Sequence, residues 1–211
     1  MRKELIINKS KTIIVILAGG QSRRFGGGYK TLYTFNKMSI LDRIIQNFKK
    51  LEVEIVLNAN SNEDQFLKTG LHLIKDELEN FQGPLAGICS SMKWVLENRK
   101  NIEWIFTSPS DTPFLNKSLV NKFLSTNYNN KTNIVIAKSS NKTHPVIGFW
   151  HISLIKSLEE FLAKENRKIM HWVEGQNYEI LNFENKNNFF NINTKADLEE
   201  AIKIEESLKT L

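Results

Sequence analysis

Only one cysteine, Cys89, occurs in the 211 residues, which excludes an internal disulfide framework and any cysteine-rich zinc site. Long apolar runs are missing as well. The continuous apolar stretch 13–18 is far shorter than the roughly 20 residues needed to cross a bilayer. The N-terminal residues are basic, but Asn8, Lys9 and Lys11 interrupt their apolar stretch well short of a signal-peptide core. Neither sign of charge dominates: 29 Lys+Arg against 23 Asp+Glu gives 29 − 23 = +6, spread along the chain. The sequence pI near 9.3 is accompanied by no aromatic-basic RNA-binding motif and no helix-turn-helix spacing, so no nucleic-acid partner is expected. A local positive field for a small polyanion is the sharper reading of the excess cations. These absences predict no membrane span, no export and a reducing, cytoplasmic setting.

What is present is ordinary for a globular chain: 41% hydrophobic and 25% charged residues exclude intrinsic disorder. The length suits one domain, 1–211, with 1–11 expected as a loose N-terminal extension. Short β-branched runs recur at 13–18, 53–59, 71–74, 102–107 and 133–137, each the pattern of a strand buried on both faces. Helical periods lie between them. Ser39 can cap a helix with Asp42 three residues on, followed by Leu41, Ile44, Ile45 and Phe48 on one face. Pro84 suits a first helical position ahead of Leu85, Ile88, Met92 and Val95. Thr194 with Asp197 opens a last helix. The Asn/Lys-rich patches 127–131 and 185–188 read as solvated loops. Strand–helix alternation of this kind predicts an α/β fold, a Rossmann-like, doubly wound and mostly parallel sheet with helices on both faces. Ligands of such sheets bind where the strands' carboxyl ends open into a crevice, so the residues just after each strand matter most.

Three segments at those positions carry chemistry. Leu17-Ala18-Gly19-Gly20 continues to Arg24, Gly26-Gly27-Gly28 and Lys30. Glycines let backbone N–H groups approach an anion, and Arg24 and Lys30 add a fork donor and a point charge for phosphate oxygens. The spacing matches neither a dinucleotide fingerprint nor a Walker A loop; by itself it fits a tight strand-to-helix turn equally well. Asp111, in Ser108-Pro109-Ser110-Asp111-Thr112-Pro113, is a carboxylate delivered to the crevice mouth, suited to Mg²⁺ shared with substrate phosphates. Taken singly it also fits an Asp that starts a turn. Asn58 and Asp76, with Gly83-Pro84-Leu85 before a helix start, offer donors and acceptors for a base or ribose edge.

Taken together and in order, these segments resemble the molybdenum cofactor guanylyltransferases, within the nucleotidyltransferase superfamily of glycosyltransferase-A-type folds. The shared landmarks are Leu17-Ala18-Gly19-Gly20, Ser22, Arg24, Gly26, Lys30, Asn58-Ala59-Asn60, Asp76, Gly83-Pro84-Leu85-Ala86-Gly87, Asp111-Thr112-Pro113, His144-Pro145 and Asn191-Ile192-Asn193-Thr194. Phe25 replaces the family's usual Met, Ser110 stands where Cys is frequent, and Tyr29 where an acidic residue is common. The resemblance implies transfer of GMP from GTP to molybdopterin with release of pyrophosphate. It assigns Arg24, Lys30 and Asp111 to catalysis, with Asp111 as the Mg²⁺ ligand. It assigns Leu17, Ala18, Gly19, Gly20, Lys30, Asn58, Asp76, Gly83, Pro84, Leu85 and Asp111 to GTP. His144, Arg167, Asn191 and Asn193 are the candidates for the molybdopterin side. It also implies transient contact with other proteins of molybdenum cofactor assembly.

Two alternatives stay open. Cytidylyl relatives and sugar-phosphate nucleotidyltransferases share the fold, and the cytidylyl ones tend to carry Leu-Ala-Ala-Gly, so Gly19 favours guanine. A non-catalytic nucleotide-binding protein would use the same loop without turnover, and the joint presence of Arg24, Lys30 and Asp111 argues against it.

Overall fold

A computed structural model of the chain describes residues 4–19, 30–60, 64–76 and 83–209. The strands are β1 (Glu4–Leu5), β2 (Thr12–Leu17), β3 (Thr34–Phe35), β4 (Met38–Ser39), β5 (Ile55–Asn58) and β6 (His72–Ile74). They continue with β7 (Trp104–Pro109), β8 (Tyr128–Asn129), β9 (Ile134–Ser139), β10 (Lys142–His151) and β11 (Tyr178–Phe183). The helices are α1 (Ile40–Lys49), α2 (Asp64–Leu67), α3 (Pro84–Asn98), α4 (Lys117–Ser125), α5 (Ile155–Ala163), α6 (Ile169–Val173) and α7 (Lys195–Lys209).

A seven-stranded sheet runs in the order β11-β9-β10-β7-β2-β5-β6. β2 is parallel to both β5 and β7, β5 to β6, and β11 to β9, while β10 is antiparallel to both of its neighbours. The sheet is therefore mostly parallel, as the strand–helix alternation predicts. Its central strands are buried and mostly apolar because both faces are covered, with Thr107, Ser108 and Asn58 as buried polar residues toward their carboxyl ends. Ile14 and Ile16 of β2 face one layer with Phe106, Phe149, and the buried sides of α1, α4 and α7. Ile13 and Val15 face the other, with Ile105, Trp150 and the buried sides of α3, α5 and α6.

The helix starts follow the expected chemistry. Ser39 Oγ accepts from Asp42 N at 2.9 Å at the head of α1, whose Ile40, Leu41, Ile44, Ile45 and Phe48 are buried. Burial of side chains of this size contributes about 1.5–3 kcal/mol each. Pro84 occupies the first turn of α3, where its missing N–H would have no helical partner. Before α7, Asp197 Oδ2 accepts from the backbone N–H groups of Asn193 and Thr194, both at 2.8 Å, and Thr194 Oγ1 accepts from Asp197 N.

Three expectations are corrected. The patch 127–131 is not all loop: Tyr128 and Asn129 pair with Leu5 and Glu4 in a two-stranded ribbon. That same ribbon ties down the segment expected to be loose from residue 4 onward. Ile7 is buried and Asn8 caps a 3-10 turn over Lys9–Lys11. The patch 185–188 likewise holds a 3-10 turn, Lys186–Phe189, capped by Asn185.

Candidate active site

Register places the ends of four strands in one row. Ile74 lies beside Asn58, Asn58 beside Leu17 and Leu17 beside Pro109. The ladder continues one step past the strands, with Ala18 N donating to Asn58 O at 2.8 Å and Ser110 N to Leu17 O at 3.0 Å. From β2 the chain steps to β5 on one side, and β7 then joins β2 on the other. This is the switch point at which open α/β sheets take ligands.

Leu17, Ala18 and Gly19 leave the sheet at this point. A Cβ built on Gly19 meets none of the described residues within 4 Å. Gly20 and Arg24 lie outside the described residues, as does the side chain of Lys30. The backbone of Lys30 opens a 3-10 turn, Lys30–Leu32. β3 and β4 follow as a hairpin whose turn residues Asn36 and Lys37 have φ of 47° and 65°. α7 holds this hairpin: Glu205 pairs with Arg43 and accepts from Asn36 Nδ2 at 2.6 Å.

On the β5–β6 side, two amides hold one carboxylate. Asn58 Nδ2 donates to Asp76 Oδ1 at 2.8 Å, and Asn60 Nδ2 donates to Asp76 Oδ2 at 2.8 Å. Asn60 Oδ1 in turn accepts from Asp76 N at 2.7 Å. Asn58 is 3% exposed, and α3 reaches it because residue 87 is glycine. A Cβ there would stand 2.3 Å from Asn58 Oδ1 and 2.9 Å from Leu17 Cδ2. Gly83, at φ 131°, turns the chain into α3, and as the N-cap residue it brings no side chain to the first N–H groups. Gly83, Pro84 and buried Leu85 thus set a positive helix end beside the clamp.

On the β7 side stands Asp111, half-buried. Its backbone oxygen accepts from Ile192 N at 2.9 Å. The Thr112 hydroxyl, in a residue with no exposure, lies 3.1 Å from Asp111 Oδ1 and 2.8 Å from Asn191 Oδ1. Asn191, expected on the molybdopterin side, is therefore brought to the expected metal ligand. Among the described residues no group of three His, Cys, Asp or Glu converges. A single carboxylate at a phosphate crevice suits Mg²⁺, which keeps several waters and takes the rest of its ligands from substrate.

The other candidates are more dispersed. His144 is 9% exposed, with Nε2 2.8 Å from Ser139 Oγ and its ring stacked on Phe189 at 4.4 Å. Burial, aided by nearby Lys142, lowers its pKa to about 4, so the ring is neutral at pH 7. Arg167 is exposed in the turn between α5 and α6, in the helical layer opposite α7. Asn193 is exposed, its backbone N–H committed to Asp197. Thr112 and Asn60 were not singled out as site residues by sequence reasoning, because each works through a partner distant in the chain.

The chain is similar to known proteins over most of its length. A family model described as a MobA-like NTP transferase domain matches residues 14–179. A molybdenum cofactor guanylyltransferase of Nitrobacter hamburgensis is 37% identical over 193 residues, covering 90% of this chain and 92% of its own. The Mesorhizobium japonicum protein of the same description is 32% identical over 200 residues, covering 92% and 96%. Among solved structures, molybdopterin-guanine dinucleotide biosynthesis protein A of Archaeoglobus fulgidus superposes with a TM-score of 0.72 at 19% identity, covering 92% of this chain and 99% of that one.

Proposed function

The chain belongs to the MobA-like nucleotidyltransferase family, and from that membership we propose that it transfers GMP from GTP to the terminal phosphate of molybdopterin, releasing pyrophosphate. The observation that carries the proposal is the pairing of two subsites across one switch point. The amide-held Asp76 stands on one side and the Asp111–Thr112–Asn191 link on the other. In the reaction a phosphate oxygen of molybdopterin bonds to the α-phosphorus of GTP as the bond from that phosphorus to the β-phosphate bridge breaks. The attacking phosphate is already ionised, so positioning and charge neutralisation do most of the work and no general base is needed.

In this reading Asp76 meets the guanine or ribose edge, and Asn58, expected to touch GTP itself, instead holds Asp76 in place, since it is buried and its amide hydrogens are committed to Asp76 Oδ1 and the Ile74 carbonyl. Backbone N–H groups after Gly19, together with Arg24 and Lys30, hold the triphosphate. Asp111 would hold Mg²⁺, which when bound neutralises charge on the phosphates. Asn191 and Asn193 offer amides to the pterin phosphate, with His144 as a neutral wall and Arg167 as a more distant cation. No helix among the described residues is long and apolar enough to cross a membrane. The chain's one cysteine, Cys89, is buried in the fold, in keeping with action in the reducing cytoplasm.

The test is incubation with each of the four NTPs, Mg²⁺ and molybdopterin, reading pyrophosphate release and product mass. GTP-dependent release with a GMP-adduct mass is expected. Preference for CTP would overturn the guanylyl assignment, and binding without pyrophosphate release would favour a non-catalytic carrier. Asp111→Ala is expected to abolish turnover with the fold retained, and full turnover at low Mg²⁺ would remove Asp111 from the metal site.

A further inference from the structure

We propose that Thr112 is a positioning residue that couples the nucleotide–metal subsite to the acceptor subsite, by sharing one hydroxyl proton between Asp111 and Asn191. The inference rests on the function proposed above for what the two subsites bind, but the coupling itself rests on geometry. Thr112 has no exposure, so bulk water does not reach its hydroxyl. Its hydroxyl has one proton to give and two acceptors within reach, Asp111 Oδ1 at 3.1 Å and Asn191 Oδ1 at 2.8 Å. Thr112 and Asn191 come from loops 79 residues apart, joined again by the main-chain bond from Ile192 N to Asp111 O. Neither loop can shift without disturbing the other.

The two acceptors compete, and the competition has a direction. A charged carboxylate draws a hydrogen bond more strongly than a neutral amide oxygen does. When the charge of Asp111 is engaged by a divalent cation, its oxygen becomes the poorer acceptor and the proton turns to Asn191. An Asn191 amide whose oxygen is so engaged meets an incoming group through its Nδ2 hydrogens, as a donor. A phosphate oxygen is the kind of acceptor such a donor recognises. Binding on the Asp111 side thus prepares the amide for the acceptor phosphate, and linkage makes the effect reciprocal.

A double-mutant cycle tests the coupling without reference to substrate. Mn²⁺ affinity is read by electron paramagnetic resonance for the unmutated protein, Asn191→Ala, Thr112→Val and the double variant, with Thr112→Ser as the conservative control. Asn191→Ala is expected to weaken Mn²⁺ binding by about threefold or more where Thr or Ser stands at position 112. In the Thr112→Val background, which lacks the hydroxyl, it is expected to leave Mn²⁺ binding unchanged, since only a shared partner gives a non-additive cycle. An equal shift in both backgrounds overturns the proposal. Should Thr112→Val fail to fold, Thr112→Ala completes the same cycle. In steady state, Thr112→Val should raise KM for molybdopterin about tenfold with a smaller change for GTP, and Thr112→Ser should restore it. Failure of the unmutated protein to use molybdopterin would overturn the function proposed above, and the Mn²⁺ cycle would then decide the coupling alone.

Discussion

Two glycines of the crevice make opposite demands. At Gly19 a methyl group meets none of the described residues within 4 Å and the backbone φ is not left-handed, so Gly19→Ala should change stability by no more than about 1 kcal/mol. Any effect on GTP must then come from the methyl meeting the substrate. Thermal melts together with GTP/CTP competition separate the two, and an unchanged GTP/CTP ratio would move base recognition away from this strand end. At Gly87 the same methyl would stand 2.3 Å from Asn58 Oδ1, and Asn58 is already bound to Asp76 Oδ1 and the Ile74 carbonyl. Gly87→Ala should therefore cost about 1–3 kcal/mol, as overpacking does, and should weaken GTP binding by disturbing the Asp76 clamp. Urea unfolding and nucleotide titration read both effects. A variant that melts like the unmutated protein and binds GTP equally would show that Asn58 has room to yield. Nothing local in the sequence separates these two glycines. Gly19 closes a short apolar run and Gly87 lies inside one, and only the approach of α3 to β5 shows which of them has no room.

At the scale of elements, legibility followed the physics of burial. β2, β5, β7 and β9 are covered on both faces, so they stand out as continuous β-branched runs, within a residue or two at most ends. β10 does not. It opens with Lys142, Thr143 and His144, carries Pro145, and shifts register between His144 and Gly148, so it shows neither an apolar run nor a clean alternation. β11 lies at the sheet's edge and leaves Ile180 exposed, and the β1–β8 ribbon pairs two-residue strands from distant parts of the chain. Such pairings are set by tertiary contact, which no local window contains. The α7 start was legible, because Thr194 and Asp197 cap it through neighbours only. That cap also steadies the acceptor side of the crevice, since Asp197 holds the N–H of Asn193, two residues from Asn191. Asp197→Ala should cost about 0.5–2 kcal/mol, the range for loss of an N-terminal cap, and should raise KM for molybdopterin more than KM for GTP. Equal changes in both would mean that the helix start does not steer Asn191.

For the molecule as a whole, His144 ties the carboxyl edge of the sheet to the segment that carries Asn191. It lies on β10, bonds to Ser139 at the end of β9, and stacks on Phe189 just ahead of Asn191. The burial that makes this packing tight also holds its pKa down to about 4, with Lys142 acting in the same direction. In the unfolded chain a histidine titrates near 6.5. Between the two values the unfolded state binds the proton and the folded state does not, so stability falls as pH falls. The contribution is complete above pH 6.5, is lost progressively from 6.5 toward 4, and changes little below 4. The shift is downward and sizeable, so its loss on acidification should be measurable against the roughly 5–15 kcal/mol of a typical domain. His144→Phe keeps an aromatic ring beside Phe189 while removing the titration. The variant should be somewhat less stable at pH 7.5, where the bond to Ser139 is lost, yet its stability should decline less steeply toward pH 4.5. His151, also held low by burial, acts in both proteins and cancels in the difference. Urea unfolding at pH 7.5, 5.5 and 4.5 measures that difference directly. Parallel declines would show that His144 titrates as an ordinary histidine and that the wall between β10 and the Asn191 segment is open to water.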